Sequence, residues 1–251
     1  MAELAARLIA VLALSLRVAP VLAFAPPFTL IRVPVVVRVM LGVALTAWLV
    51  AGHPAATWQR PILGDGLIGA LAGELLLGLV FMLILQIAFA AMLFAGRAID
   101  IQAGFGLAML VDPTTKAQMP MIGTLFAYAA GAIFFGMGGG EDLLGIWSAS
   151  LDAVPLGAVS GVHGVAMLAD YTASAFAMAL GLAGLLLLTL LLLDLAIAFM
   201  SRTLPQMNVL VLGFQVKAIA TLVMLPIALS LAGGLFVRLL RLALDTMPRM
   251  L

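Results

Sequence analysis

The stretch "LIGALAGELLLGLVFMLILQIAFAAMLFAGRAIDI", residues 67–101, holds three charged residues, Glu74, Arg97 and Asp100, and is otherwise almost wholly aliphatic or aromatic. As a helix rising 1.5 Å per residue it would be about 50 Å long, well beyond the ~30 Å of a bilayer's hydrocarbon. Such a helix must tilt steeply, kink, or lie partly outside lipid against protein. Glu74 and Gln86 within it favour polar or proteinaceous neighbours over acyl chains.

The rest of the chain has the same character. Of 251 residues, 65% are hydrophobic and 9% charged, against roughly 45–50% and about 25% in soluble domains. Residues 33–52, 66–96, 173–200 and 209–237 each reach the length a spanning helix needs. The reading is an all-α, polytopic membrane protein. The N-terminal "MAELAARLIAVLALSLRVAP" has Glu3 beside Arg7 and no convincing small-residue cleavage site, so it is read as a retained first helix and not as a secretory signal. The absence of cysteine excludes disulfides and thiol chemistry. A net charge of +1 argues against nucleic acid. Arg238, Arg241 and Arg249 read as a solvated or headgroup-facing tail.

Helical periodicity and breakers predict a first helix over 3–19 ending near Pro20, because proline lacks the N–H and crowds the preceding turn. An extended connector (25–34) and a helix (35–50) follow, then a polar loop (52–66) carrying Trp58. After the long helix, 121–137 is helical, "GGGED" (138–142) a turn, 143–150 a short helix and 151–164 a loop. Helices over 171–200 and 207–244, joined by "SRTLPQ", form a hairpin. Glycine pairs at Gly69/Gly73, Gly136/Gly140 and Gly157/Gly161 have the spacing of membrane helix contacts, a weak signal in a chain with 25 glycines. Lys and Arg at both ends of the last helix give no consistent orientation.

Catalytic chemistry is not visible. His53 and His163 lie in separate glycine-flanked loops with no carboxylate at metal-ligand spacing, and no nucleophile elbow or phosphate-binding loop is present. The chain is read as no enzyme, with no metal or cofactor. What remains is charge inside apolar runs: Arg17, Arg38, Glu74, Arg97, Asp100, Asp194 and Lys217. Such residues mark a proton or substrate path, or pair with one another or with a partner subunit. Their scatter along the chain favours pairing, and Arg97 and Asp100, three apart, are placed to pair locally.

One segment resists the pattern. "DIQAGFGLAMLVDPTTKAQMP" (100–120) is polar, glycine-rich and proline-broken between apolar helices. With its flank it reads "GRAIDIQAGFGLAMLVDPTTKAQMPMIG", which resembles the central signature of the FliR family of flagellar type III export proteins. "RVAPVLAFAPPFTLIRVPVVVRVMLG" (17–42) and "LLDLAIAFMSRTLPQMNVLVLGFQVKAI" (192–219) resemble that family's N- and C-terminal blocks, in the expected order. The likeness spans about residues 10–240. Ala198, Leu210 and Gln215 depart from it where glycine, an aromatic and proline are usual.

The resemblance implies a structural and gating component of the flagellar protein export gate in the bacterial inner membrane and basal body. One such chain would assemble with FliP and FliQ subunits around a channel for unfolded flagellar proteins, with FlhB and FlhA as further partners. Residues 1–170 would be FliP-like and 171–251 a FliQ-like hairpin. Arg17, Glu74, Asp194, Arg202 and Lys217 would make polar contacts between subunits. Residues 104–120 would project into the channel as a plug, with Phe105, Leu107, Met109 and Leu110 as apolar bulk and Gly104 and Gly106 giving the backbone freedom. Asp112 and Pro113 read as an N-cap with proline at N1. The same features would also suit the homologous injectisome protein, though "AGFGLA" followed by "DP" looks flagellar. A small-molecule transporter should show an internal repeat, and no convincing one is found.

Overall fold

A computed structural model describes residues 1–31, 33–59, 66–105, 121–158, 164–203 and 209–251 of the chain. Among them there is no strand. The helices are α1 (Ala2–Phe24), α2 (Val35–Gly52), α3 (Leu67–Gln102), α4 (Met121–Gly136), α5 (Gly139–Ala153), α6 (Val165–Thr203) and α7 (Val209–Thr246), with a closing 3₁₀ turn at Pro248–Met250. Five of them, α1, α2, α3, α6 and α7, are long and apolar enough to cross a membrane. A sixth span is possible if α4 and α5, bent by 67° at their junction, count as one. The all-α, multi-span reading therefore holds. At 36, 39 and 38 residues, α3, α6 and α7 each exceed the roughly 20 residues that a bilayer requires.

Several boundaries differ from expectation. Helix α1 does not stop at Pro20 but runs through it to Phe24. Proline removes only the bond to the carbonyl four residues back, that of Leu16, and apolar packing of Val18, Val21 and Leu22 carries the helix past the gap. The connector after α1 is folded into turns, with Thr29 N–H on the Ala25 carbonyl and Leu30 N–H on that of Pro27, and is not extended. "GGGED" is mostly helix: only Met137 and Gly138 turn, Gly138 at φ +82 serves as N-cap, and Glu141 and Asp142 occupy the first turn of α5, where carboxylates suit the helix dipole. Residues 201–203 of the expected hairpin tip are helical.

By contact the chain divides into two compact units, residues 1–88, 131–172 and 240–251 in one and residues 89–130 and 173–239 in the other. The division passes through helices and not between them. In the first unit, Leu14, Leu49, Phe81, Ile84, Phe134 and Trp147 are buried, Phe28 meets Phe134 and Phe135 edge-on, and the Tyr171 hydroxyl donates to the Ile84 carbonyl at 2.7 Å. Here α3 backs onto α1 at Gly78, where a Cβ would overlap the carbonyl oxygens of Leu16 and Arg17. In the second unit Phe126 and Phe236 pack edge-on, and α3 meets α4 at Gly96, where a Cβ would overlap the Gly123 backbone. These are the close helix approaches. Gly69, Gly136 and Gly140, drawn from the expected glycine pairs, have no neighbour within 4 Å of a Cβ among the described residues.

Candidate functional site

Arg17 is the most buried charge of the first unit, with 0% exposure beside 1% for Glu74. Its Nε donates to Glu74 Oε2 at 2.7 Å and one Nη2 hydrogen to Oε1 at 2.9 Å, the paired geometry in which guanidinium and carboxylate bind best. Nη1 donates to the carbonyl and hydroxyl oxygens of Ser150 at 3.1 and 3.0 Å, and Nη2 also to the Val154 carbonyl at 3.0 Å. All five guanidinium N–H groups are thus matched. Glu74 Oε1 accepts a further bond from Gly157 N–H at 2.9 Å. One ion pair therefore ties α1, α3, α5 and the segment after α5. Charges removed from water are tolerable only when matched this fully.

In the second unit, Asp194 on α6 pairs with Lys217 on α7. Gln102, in the last turn of α3, donates through Nε2 to Asp194 Oδ2 at 2.8 Å, while Lys217 Nζ donates to the Gln102 carbonyl at 3.4 Å. Thr221, one turn from Lys217, donates to its carbonyl at 2.8 Å. Three helices are joined by one acid, one base and one amide.

Asp100 does not pair with Arg97, which is exposed and has no ion-pair partner among the described residues. Its carboxylate instead accepts the Ile122 N–H at 3.1 Å and the Gly123 N–H at 3.3 Å, capping the first turn of α4 from across the chain. The unpaired amides of a helix start are the natural partners of such an anion. Helix α3 ends beside it. Gly104 takes φ +86, its N–H reaching the Ile101 carbonyl at 3.1 Å, and Phe105 N–H reaches that of Asp100 at 3.0 Å, the bonding of a helix closed by a left-handed glycine. A Cβ on Gly104 would come within 3.2 Å of the Phe214 ring.

Of the expected site residues, the fold brings Arg17 to Glu74 and Asp194 to Lys217, within this chain. Arg202 is exposed in the last turn of α6. Gly104 and Phe105 stand at the end of α3. Gly106, Leu107, Met109, Leu110, Asp112 and Pro113 lie outside the described residues, as does His163. His53 has ordinary partners, the Leu49 carbonyl and the Ser148 hydroxyl, at 3.1 and 3.0 Å. No group of three potential metal ligands occurs among the described residues. Sequence reasoning missed Ser150, Gly157 and the Asp100 cap. Each acts through a backbone group or from a distant helix, which no local pattern announces.

Long apolar helices, with a buried and fully matched ion pair between α1 and α3, define a polytopic helical membrane protein. Residues 8–243 match the family described as bacterial export proteins, family 1. The chain belongs to that family, the FliR family. It is similar to the flagellar biosynthetic protein FliR of Bacillus subtilis (strain 168), with 32% identity over 184 residues, 71% of this chain and 70% of that protein. The FliR protein of Pectobacterium carotovorum subsp. carotovorum is 27% identical over 239 residues, covering 93% and 91%. That of Escherichia coli (strain K12) is 29% identical over 201 residues, covering 79% and 76%.

Proposed function

We propose that this chain is a structural, non-enzymatic component of the flagellar protein export gate in the bacterial inner membrane, and that residues 104–120 form the plug of its channel. The family membership and the names of its relatives support the first part. The second part rests on one observation: Asp100 at the end of α3 holds the Ile122 and Gly123 amides at the start of α4. The chain between them thus leaves and returns at a single fixed root. A seal that must admit a polypeptide and close again needs such a root, a glycine hinge and adaptable apolar bulk.

In this reading the partners are FliP and FliQ subunits, FlhB and FlhA, with residues 1–170 taking the FliP-like place and 171–251 that of a FliQ-like hairpin. Arg202, exposed at the end of α6, is available for a contact between subunits, and Asp194 and Lys217, paired between α6 and α7, are only partly covered. Arg17 and Glu74 would serve assembly through the rigidity they give the first unit.

The test is deletion of the gene and its complementation. Loss of filaments and motility, restored by the wild-type chain, is expected. Normal filaments on the deletion strain would reject the flagellar role. Co-purification with tagged FliP and FliQ subunits, weighed by native mass spectrometry, tests the assembly.

A further inference from the structure

Helices α6 and α7 have 39 and 38 residues, nearly twice what roughly 30 Å of hydrocarbon requires. The surface they show changes along their length. On α6 large apolar side chains stand exposed from Leu180 to Met200, while the inward-facing Leu182, Leu186 and Leu190 are buried. In the turn or two before Leu180 the exposed positions are Ala173, Ser174 and Ala177, small or polar, and past Met200 they are Ser201, Arg202 and Thr203. On α7 the exposed apolar side chains run from Val211 to Leu231. Beyond Leu231 no large apolar side chain of α7 is exposed, and the next open positions are Gly234 and Arg238.

The two bare stretches lie side by side. A Cβ on Gly213 would meet Ile197 at 3.5 Å and one on Gly181 would meet Leu235 at 3.9 Å, which fixes the antiparallel register of the hairpin. In that register, confirmed by the Asp194–Lys217 pair, Leu231 stands within about a turn of the level of Leu180, and Val211 within about a turn of Met200. Both helices therefore change from bare and apolar to small or polar at one common level. The distance from Leu180 to Met200 is about 30 Å along the helix, the thickness of a bilayer's hydrocarbon. Within this height the hydroxyls are matched inside their own helix, Thr189 on the Leu185 carbonyl at 2.9 Å and Ser230 on that of Ile227 at 2.8 Å. Exposed arginines mark both limits. Arg202 follows Met200, and Arg238 lies beyond Leu231. Phe94 packs edge-on against Phe176, four residues outside Leu180, which brings Arg97, less than a turn further along α3, to that same far limit.

We propose that this hairpin meets membrane lipid directly, with acyl chains against the belt from Leu180 to Met200 and from Val211 to Leu231, and headgroup phosphates at Arg202 on one side and at Arg97 and Arg238 on the other. Arginine at both limits complements the phosphates of two leaflets. A protein neighbour would have no reason to end at the same level on two helices, nor at the height of the hydrocarbon. Asp194 and Lys217 lie about 9 Å inside the tip-side limit, where pairing with each other and with Gln102 makes their charge tolerable. Residues 165–179 of α6 and 232–246 of α7 then stand beyond the hydrocarbon, which accounts for the excess length of both helices.

The chain contains no cysteine, so single cysteines carrying a nitroxide can be introduced without background. Leu185→Cys, Leu192→Cys, Ile219→Cys and Ile227→Cys fall at exposed positions of the belt, and Ser174→Cys and Ser201→Cys fall just outside its two limits. Each full-length variant, in liposomes of phosphatidylethanolamine and phosphatidylglycerol, is exposed in turn to oxygen, which concentrates in hydrocarbon, and to a neutral nickel chelate, which stays in water. The ratio of oxygen to nickel collisions should be several-fold higher at the four belt positions than at the two flanking ones. Leu185 should match Ile227 in depth, and Leu192 should match Ile219. Belt labels shielded from both reagents would mean that protein covers the hairpin, and belt labels open to nickel would place it in water. A depth difference of more than about 5 Å, one helical turn, within either pair would break the common level. Any of these three results overturns the proposal. Leu188→Cys and Val223→Cys, exposed and again at one level, replace a pair that fails to fold. No partner subunit enters the measurement, so its outcome is separate from the flagellar role, which gene deletion tests.

Discussion

Asp100 and Ile122 are 22 residues apart in the chain, yet the carboxylate of one holds the backbone N–H of the other at 3.1 Å. The end of α3 and the start of α4 are thereby one structural point, reinforced where Gly96 lies against Gly123.

Replacing Asp100 with alanine removes the acceptor for two amides at the start of α4 and should destabilise the protein by about 0.5–2 kcal/mol, the usual range for a lost helix cap. Asp100→Asn keeps one carbonyl oxygen and should lose less. Thermal unfolding of the purified chain in detergent measures the order. Equal stability of all three proteins would remove the cap from the account.

Arg17 and Glu74 should show strong non-additivity. Arg17→Met or Glu74→Leu alone leaves a charge in the core without its partner, a loss of about 3–5 kcal/mol. The double variant leaves neither charge and should recover much of that deficit. A double-mutant cycle on unfolding midpoints reads the coupling directly, and simple addition of the two single effects would show the pair to be energetically unlinked.

Alanine should act with opposite signs at two helical glycines. At Gly184, inside α6 with nothing within 4 Å of a Cβ, alanine is the better helix former and should stabilise by up to about 1 kcal/mol. At Gly78 the same methyl meets the backbone of α1 and should destabilise by roughly 1–3 kcal/mol through overpacking. A stable Gly78→Ala protein would mean that α1 and α3 can separate at little cost.

Leakage tests the plug. Changing Phe105, Met109 and Leu110 together to serine should leave assembly with FliP and FliQ subunits intact while raising membrane conductance, because the apolar bulk opposing a continuous water path is gone. Conductance and secretion of hook protein are measured side by side. Wild-type conductance in an intact complex would remove the plug assignment for these residues.

The two levels were unequally legible in the sequence. Apolar runs located α2, α3 and α7 to within two residues, because a spanning helix writes its length into composition, whereas α6 begins at Val165, six residues before the expected start. Pro20 misled, since a local breaker rule cannot see the tertiary packing that carries α1 onward. The charges in apolar runs were picked out one by one, but their pairing was hidden: Arg17 and Glu74 are 57 residues apart, and Asp100 turned from its neighbour Arg97 to amides that have no side-chain signature. Gly78 and Gly96 form close approaches while the spaced pairs Gly69/Gly73 and Gly136/Gly140 drew attention, because spacing says which glycines share a helix face and not which face meets another helix.

The root at Asp100 also has a consequence for what can change over evolutionary time or in the laboratory. Where two helices are fastened at the point from which a segment departs, the length of that segment is uncoupled from their packing. Doubling the number of residues between two points already tied together adds only about 0.6 kcal/mol of closure entropy. Insertions between Phe105 and Met121 should then disturb the packing of α3 against α4 far less than a single methyl at Gly96, which thermal unfolding of the two variants compares.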